Sequence, residues 1–161
     1  MNQQTLKNFI KTWRGKSHNE GDQFASFVFI WICFNAWLEH LLPNAKTDRD
    51  LIKELKNRSN AVTSLIDSYN IAFAKKESTL KDRINHLIGT IKEKPIQQRN
   101  GKLVVIQSES DFSNVVETLY IIRCSLFHGN TDADDRLDQV LAHDARLILI
   151  EWIGELIVSW N

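Results

Sequence analysis

The chain has 161 residues, 43% of them hydrophobic and 25% charged, which suits one soluble globular domain and excludes collagen, coiled-coil rods and disordered tails. Its 20 Lys/Arg balance 20 Asp/Glu, so bulk positive charge cannot be what holds a nucleic acid. The two cysteines, Cys33 and Cys124, sit in apolar runs and form neither a disulfide framework nor a CxxC pair, as expected of a reduced cytoplasmic protein.

Two prolines and six glycines leave long uninterrupted stretches, which favours helices. The pattern predicts a short helix over Leu6–Trp13 and a wholly apolar one over Asp22–Leu42, stopped by Pro43. The latter's uncharged stretch between Asp22 and Glu39, Gln23 to Leu38, has 16 residues, and a span needs about 20. Gln23, Ser26 and Asn35 also interrupt it, so a buried core helix is expected and no membrane partner. The N-terminus lacks a secretory leader's basic and apolar regions. Thr47-Asp48-Arg49-Asp50 reads as a capped helix start leading to Asn57. Leu51, Leu55, Val62, Leu65, Ile66 and Tyr69 continue its apolar stripe across a break near Asn57–Asn60, and Thr79–Glu93 forms the next amphipathic helix.

Residues 95–107, PIQQRNGKLVVIQ, place Asn100-Gly101 between two short segments, which fits a small β-hairpin or a plain loop. Ser110 or Asp111 then caps a helix that ends at His128-Gly129, and Asp132 opens a long one to Trp160. The second half of that last helix is apolar around most of its circumference, so its own bundle or a second subunit must cover it. The expectation is an all-α bundle of five to six helices in a single domain spanning 1–161. Trp31, Trp37, Trp152 and Trp160 fall at core-like positions, suited to packing or dimer contacts rather than base stacking.

The five histidines, His18, His40, His86, His128 and His143, form no HxxxH or HExxH pair, and no glycine-rich phosphate loop or GxSxG elbow occurs. No metal and no cofactor are therefore predicted. What remains is Arg123-Cys124-Ser125-Leu126-Phe127-His128-Gly129-Asn130. A His before a helix-stopping Gly is an ordinary cap, since the left-handed Gly ends the helix and a cation suits its negative end. The same two side chains also suit metal-free RNA cleavage. Imidazole exchanges protons near neutral pH, and guanidinium matches a phosphorane's charge and shape. One His hardly serves as base and acid at once, so a two-fold pair of chains would complete the chemistry.

The ending RCSLFHG, the preceding FSNVVETLYII and the upstream FVFIWICFNAW resemble the HEPN superfamily over about residues 22–160. That resemblance implies a dimerising helical bundle, and in many members a metal-independent endoribonuclease of toxin–antitoxin, phage-defence or RNA-processing systems. It makes Arg123 and His128 the catalytic pair, RNA the substrate, a homodimer the working form, and an antitoxin or regulatory protein a partner. Active members usually carry a polar residue after the Arg, where this chain has Cys124. A non-catalytic nucleic-acid-, nucleotide- or protein-binding dimer is the alternative. Ser125 and Asn130 are candidates to support the site, as is Asn35, whose amide in an apolar helix either reaches the motif or ties helices together. Arg136 and His143 repeat the spacing loosely in a charged stretch and read as a solvated face.

The neutral total conceals an even split. Residues 1–102 hold 17 Lys/Arg against 10 Asp/Glu, and residues 103–161 hold 3 against 10. Lys92, Lys94, Arg99 and Lys102 offer RNA a local basic surface, while TDADDRLD after the motif tempers it or meets a basic partner.

Overall fold

A computed structural model describes residues 1–77 and 79–161. Those residues form seven α-helices and no β-strand, the all-α bundle expected: α1 (Gln3–Asn19), α2 (Gln23–Leu41), α3 (Asp48–Lys56), α4 (Thr63–Ala74), α5 (Leu80–Glu93), α6 (Phe112–Phe127) and α7 (Arg136–Val158). The helix count exceeds the expected five to six because the stripe from Leu51 to Tyr69 is cut in two. Arg58 takes a left-handed φ of 52°, and a 3-10 turn at Asn60–Val62 restarts the chain as α4.

Helix starts follow capping chemistry, which explains most boundary differences. The Asn2 side chain accepts from the Thr5 N–H, so α1 begins three residues before Leu6 and continues to Asn19. Thr47 and Asp50 form a reciprocal capping box that fixes α3 at Asp48. Asp111, not Ser110, caps α6. At α7 the cap is Asp135, which accepts from the N–H groups of Leu137 and Asp138, so this helix starts four residues after Asp132.

Helix α7 is the axis of the bundle, packing against α2, α4 and α5. Ile148, Leu149, Trp152, Ile153 and Leu156 are fully buried within the single chain, so the bundle itself covers most of the apolar half of α7, while Val158 stays exposed. Trp152 anchors this core. Its ring centroid lies 5.0 Å from those of Phe34 and Tyr69, and its indole N–H donates to the Leu65 carbonyl at 2.8 Å. Trp31 and Trp37 are buried as expected, and Trp160 packs half-buried on Trp37.

Helix α2 is long and apolar enough to cross a membrane by length and composition, yet eight of its residues are buried in the bundle. It is joined to α1 by a reciprocal pair of buried hydroxyls. Ser17 Oγ donates to the Ser26 carbonyl at 2.7 Å, and Ser26 Oγ returns a bond to the Ser17 carbonyl at 2.6 Å. This answers the polar interruption at Ser26, since a buried hydroxyl needs a partner.

Residues 94–111 cross the surface without regular structure. A three-residue turn, Arg99-Asn100-Gly101, is closed by Gln98 N–H donating to Lys102 O at 2.8 Å, with Gly101 at φ 81°. One antiparallel bridge, Gln97 with Leu103, is all that forms of the hairpin. The reason lies in burial: Ile96, Val104 and Ile106 turn inward onto the bundle, while Leu103 and Val105 stay exposed. The segment is held by side-chain burial more than by a ladder.

Candidate functional site

The end of α6 is built by its stop signal. His128 is the C-cap, and Gly129 takes φ 70°, where a Cβ would be strained. The Asn130 N–H then reaches back to the Ser125 carbonyl at 3.0 Å, the long bond of a Schellman motif. This geometry turns the chain sharply and leaves the His128 side chain exposed. Among the described residues no hydrogen-bond partner or ion pair involves the His128 imidazole.

A groove of about 630 Å³ opens beside this helix end. From α6 and its cap come Glu117, Tyr120, Ile121, Cys124, Ser125, His128 and Asn130, a stripe at helical spacing. The turn at 97–100 forms the opposite wall with Gln97, Gln98, Arg99 and Asn100, and Arg49 enters from α3. His128, Ser125 and Asn130 are thus brought together as the sequence suggests.

Arg123 is close in the chain but aimed elsewhere. It lies five positions before His128, which is roughly 7.5 Å along a helix axis and more than a third of a turn around it. Its guanidinium Nη2 lies 2.7 Å from Asp48 Oδ2 at the start of α3, and its Cζ lies 4.7 Å from the Phe127 ring centroid. Its Nε is buried with no partner. In one chain, therefore, the cation of the motif is matched by a carboxylate while the imidazole is free.

Asn35 is not at this site. Its amide donates to Glu39 Oε1 at 2.7 Å, one turn along the same helix, and neither reaches α6 nor joins two helices. The loose repeat of the motif also separates. Arg136 is solvent-exposed near Glu93 as expected, but His143 is half-buried with Nδ1 2.7 Å from Gln23 Oε1. Burial pushes the His143 pKa down, against a smaller upward pull from Asp144. The solvated-face reading fails at His143 because the start of α2 packs over it.

Sequence reasoning missed Arg49, Glu117 and Tyr120. Glu117 is only 1% exposed and accepts from Arg49 at 2.6 Å and Lys56 at 2.7 Å, pinning α3 to α6. Burial alone would raise its pKa, but the bonds from Lys56 and Arg49 outweigh burial and hold it below the usual carboxylate range. Arg49 lies over the Tyr120 ring, 5.4 Å from its centroid. Burial first, then the neighbouring Cys124 thiol, pushes the Tyr120 phenol up to about 12, so it stays protonated and able to donate. Helical spacing back from His128 through Cys124 points to Tyr120, whereas Arg49 leaves no signal because its approach is tertiary.

The basic surface expected around the turn is partly neutralised within the chain. Lys94 pairs with Asp138 at 2.6 Å and Asp135 at 3.3 Å, so part of the acidic stretch is spent there. Arg99 and Lys102 remain exposed, and among the described residues neither forms an ion pair. Among the described residues no three His, Cys, Asp or Glu side chains gather where a metal could be held. No protein-family model, no curated protein and no solved structure matches the chain.

Proposed function

We propose that this protein is a cytoplasmic, metal-independent endoribonuclease of HEPN type, working as a homodimer with RNA bound across the ends of two α6 helices. The observation that carries this reading is the exposed, unpartnered His128 imidazole at the rim of a groove that also holds Arg49 and Arg99. An imidazole free of internal partners is available to exchange a proton, and two cations beside it suit a polyanionic substrate.

In this reading His128 takes the proton from a ribose 2′-OH as that oxygen attacks the adjacent phosphorus. The bond from phosphorus to the 5′ oxygen breaks, and His128 of a second copy returns a proton to the departing oxygen. Arg123 exchanges Asp48 for the phosphate and meets its growing charge. The products are a 2′,3′-cyclic phosphate and a 5′-OH. Phe127 favours pairing of two copies here, because it is 56% exposed and adjoins both motif residues. The test is incubation of purified protein with a ribo-oligonucleotide and its 2′-deoxy counterpart in chelator. Cleavage of the first alone, leaving cyclic-phosphate ends, is expected, and cleavage of both alike would reject this chemistry.

A second reading rests on a different observation. The Asp48–Arg123 pair at 2.7 Å, next to Cys124, suits a dimer that binds RNA, nucleotide or protein without cutting. An antitoxin or other regulatory protein is a partner under either reading. For the non-cutting reading, the parent and His128→Ala would bind RNA equally and neither would cleave it.

A further inference from the structure

We infer that the wall of the groove facing α6 is a nucleotide-binding subsite, with Arg99 and Arg49 holding a backbone phosphate and the amides of the 97–100 turn reading the edge of an adjacent base. The inference rests on the RNA reading above and adds to it residues that lie outside the Arg123–His128 motif.

Three observations carry it. First, Arg99 sits exposed at the tip of a turn whose backbone is fixed by three bonds: Gly101 N–H to Gln98 O at 2.9 Å, Gln98 N–H to Lys102 O at 2.8 Å, and Lys102 N–H to Asn100 Oδ1 at 2.9 Å. An unpaired guanidinium on a well-tied turn loses little backbone freedom on binding an anion. Second, Arg49 opposes it from α3. Its Nη1 is held by buried Glu117, yet its side chain is 49% exposed, so further N–H groups remain for a second anion. The one carboxylate in the groove is already matched by Arg49 and Lys56, and does not repel a phosphate as a free one would. Third, beside His128, the Ser125 hydroxyl and the Cys124 thiol, the groove is lined by amides and a protonated phenol: Gln97, Gln98, Asn100, Asn130 and Tyr120. Amides present donors and acceptors side by side, as base edges do. A peptide backbone also offers N–H and C=O groups to these amides, so the choice of RNA over an acidic peptide follows from the nuclease reading above.

A volume of about 630 Å³ lies within the range of small-ligand sites and suits one or two nucleotides rather than a duplex. Placed next to His128, the subsite would set which base flanks the cut.

The experiment uses the full-length protein and a fluorescent oligonucleotide with 2′-O-methyl riboses, which cannot be cleaved, followed by anisotropy across a salt series. Arg99→Gln is expected to weaken binding about tenfold, and to flatten the slope of log affinity against log salt by about 0.7, the loss of one single-strand phosphate contact. Lys11→Gln, an equal charge change on exposed α1, should leave both quantities unchanged. Arg49→Lys keeps a cation for Glu117 and preserves the fold, but loses the fork geometry, and is expected to weaken binding about threefold to tenfold. Loss of binding in Arg99→Gln supports the subsite whether or not the parent cuts RNA. If the parent cuts RNA while Arg99→Gln binds and cuts as the parent does, the subsite is wrong and the nuclease reading stands. Tighter binding of an acidic peptide than of the oligonucleotide at the same salt would overturn the RNA assignment.

Discussion

Glu117 shows how one residue links the stability of the bundle to the shape of its groove. A buried carboxylate is costly unless paired, and this one has two cations from α3. Its folded pKa lies below the ordinary value of 4.5, so its stabilising effect is complete above that pH and is lost as pH falls through the depressed folded value. Urea unfolding from pH 7 to pH 3 should show the parent losing stability below about 4.5 more steeply than Glu117→Gln. At pH 7 the same variant should be less stable by about 1.5–3 kcal/mol, the usual worth of hydrogen bonds to a charged group. Parallel pH profiles for the two proteins would mean that this carboxylate does not carry the linkage.

The contrast between His128 and Arg123 also belongs to single residues. Both are legible in the sequence as a pair, because a charged Arg in an apolar helix and a His before Gly stand out. Their partners are not legible. Asp48 lies 75 positions from Arg123 and reads locally as the first acid of a capped helix, which it also is. Tertiary packing gives it a second role that no local pattern records.

At the scale of elements, the end of α6 depends on a backbone conformation. Gly129 at φ 70° allows the Asn130 N–H to bond Ser125 O, and any L side chain there is strained by about 1–2 kcal/mol. Gly129→Ala should lower stability by about that amount in urea unfolding and shift the His128 ring resonances in NMR spectra. Unchanged spectra would show that the turn does not position the imidazole. Helix existence was legible throughout, since apolar spacing and breakers agree along the chain. Boundaries were legible only where a cap was unambiguous. Asp132 reads as the start of α7, but it is the Asp135 carboxylate that meets the first N–H groups. The Asn100-Gly101 signal located a turn correctly, but a ladder needs partners on both sides. Here Ile96, Val104 and Ile106 gain more by burial against helices.

For the whole molecule, the apolar second half of α7 left two options, its own bundle or a second subunit. Packing by α2, α4 and α5 buries most of it inside one chain. The case for a homodimer therefore rests on the exposed Phe127 beside the motif and on the need of the proposed chemistry for two imidazoles. Sedimentation of the parent at micromolar concentration should give about twice the 18.7 kDa chain mass, and Phe127→Glu should shift it toward the monomer. A parent that sediments as a monomer throughout would remove the composite site. The charge split between the two parts of the chain also takes a definite form. Lys94 bridges Asp135 and Asp138 and leaves one negative charge in excess there, while Arg49 and Arg99 line the groove.

The central claim is that Arg123 and His128 together cleave RNA without a metal. The most direct measurement is cleavage of a ribo-oligonucleotide in excess chelator by the parent, His128→Ala and Arg123→Ala, each first shown by circular dichroism to be folded. Cleavage by the parent is expected, with a loss of at least about a hundredfold in each variant, in line with the worth of a general acid–base group. Activity that persists in both variants, or a folded dimeric parent that never cuts, would contradict it.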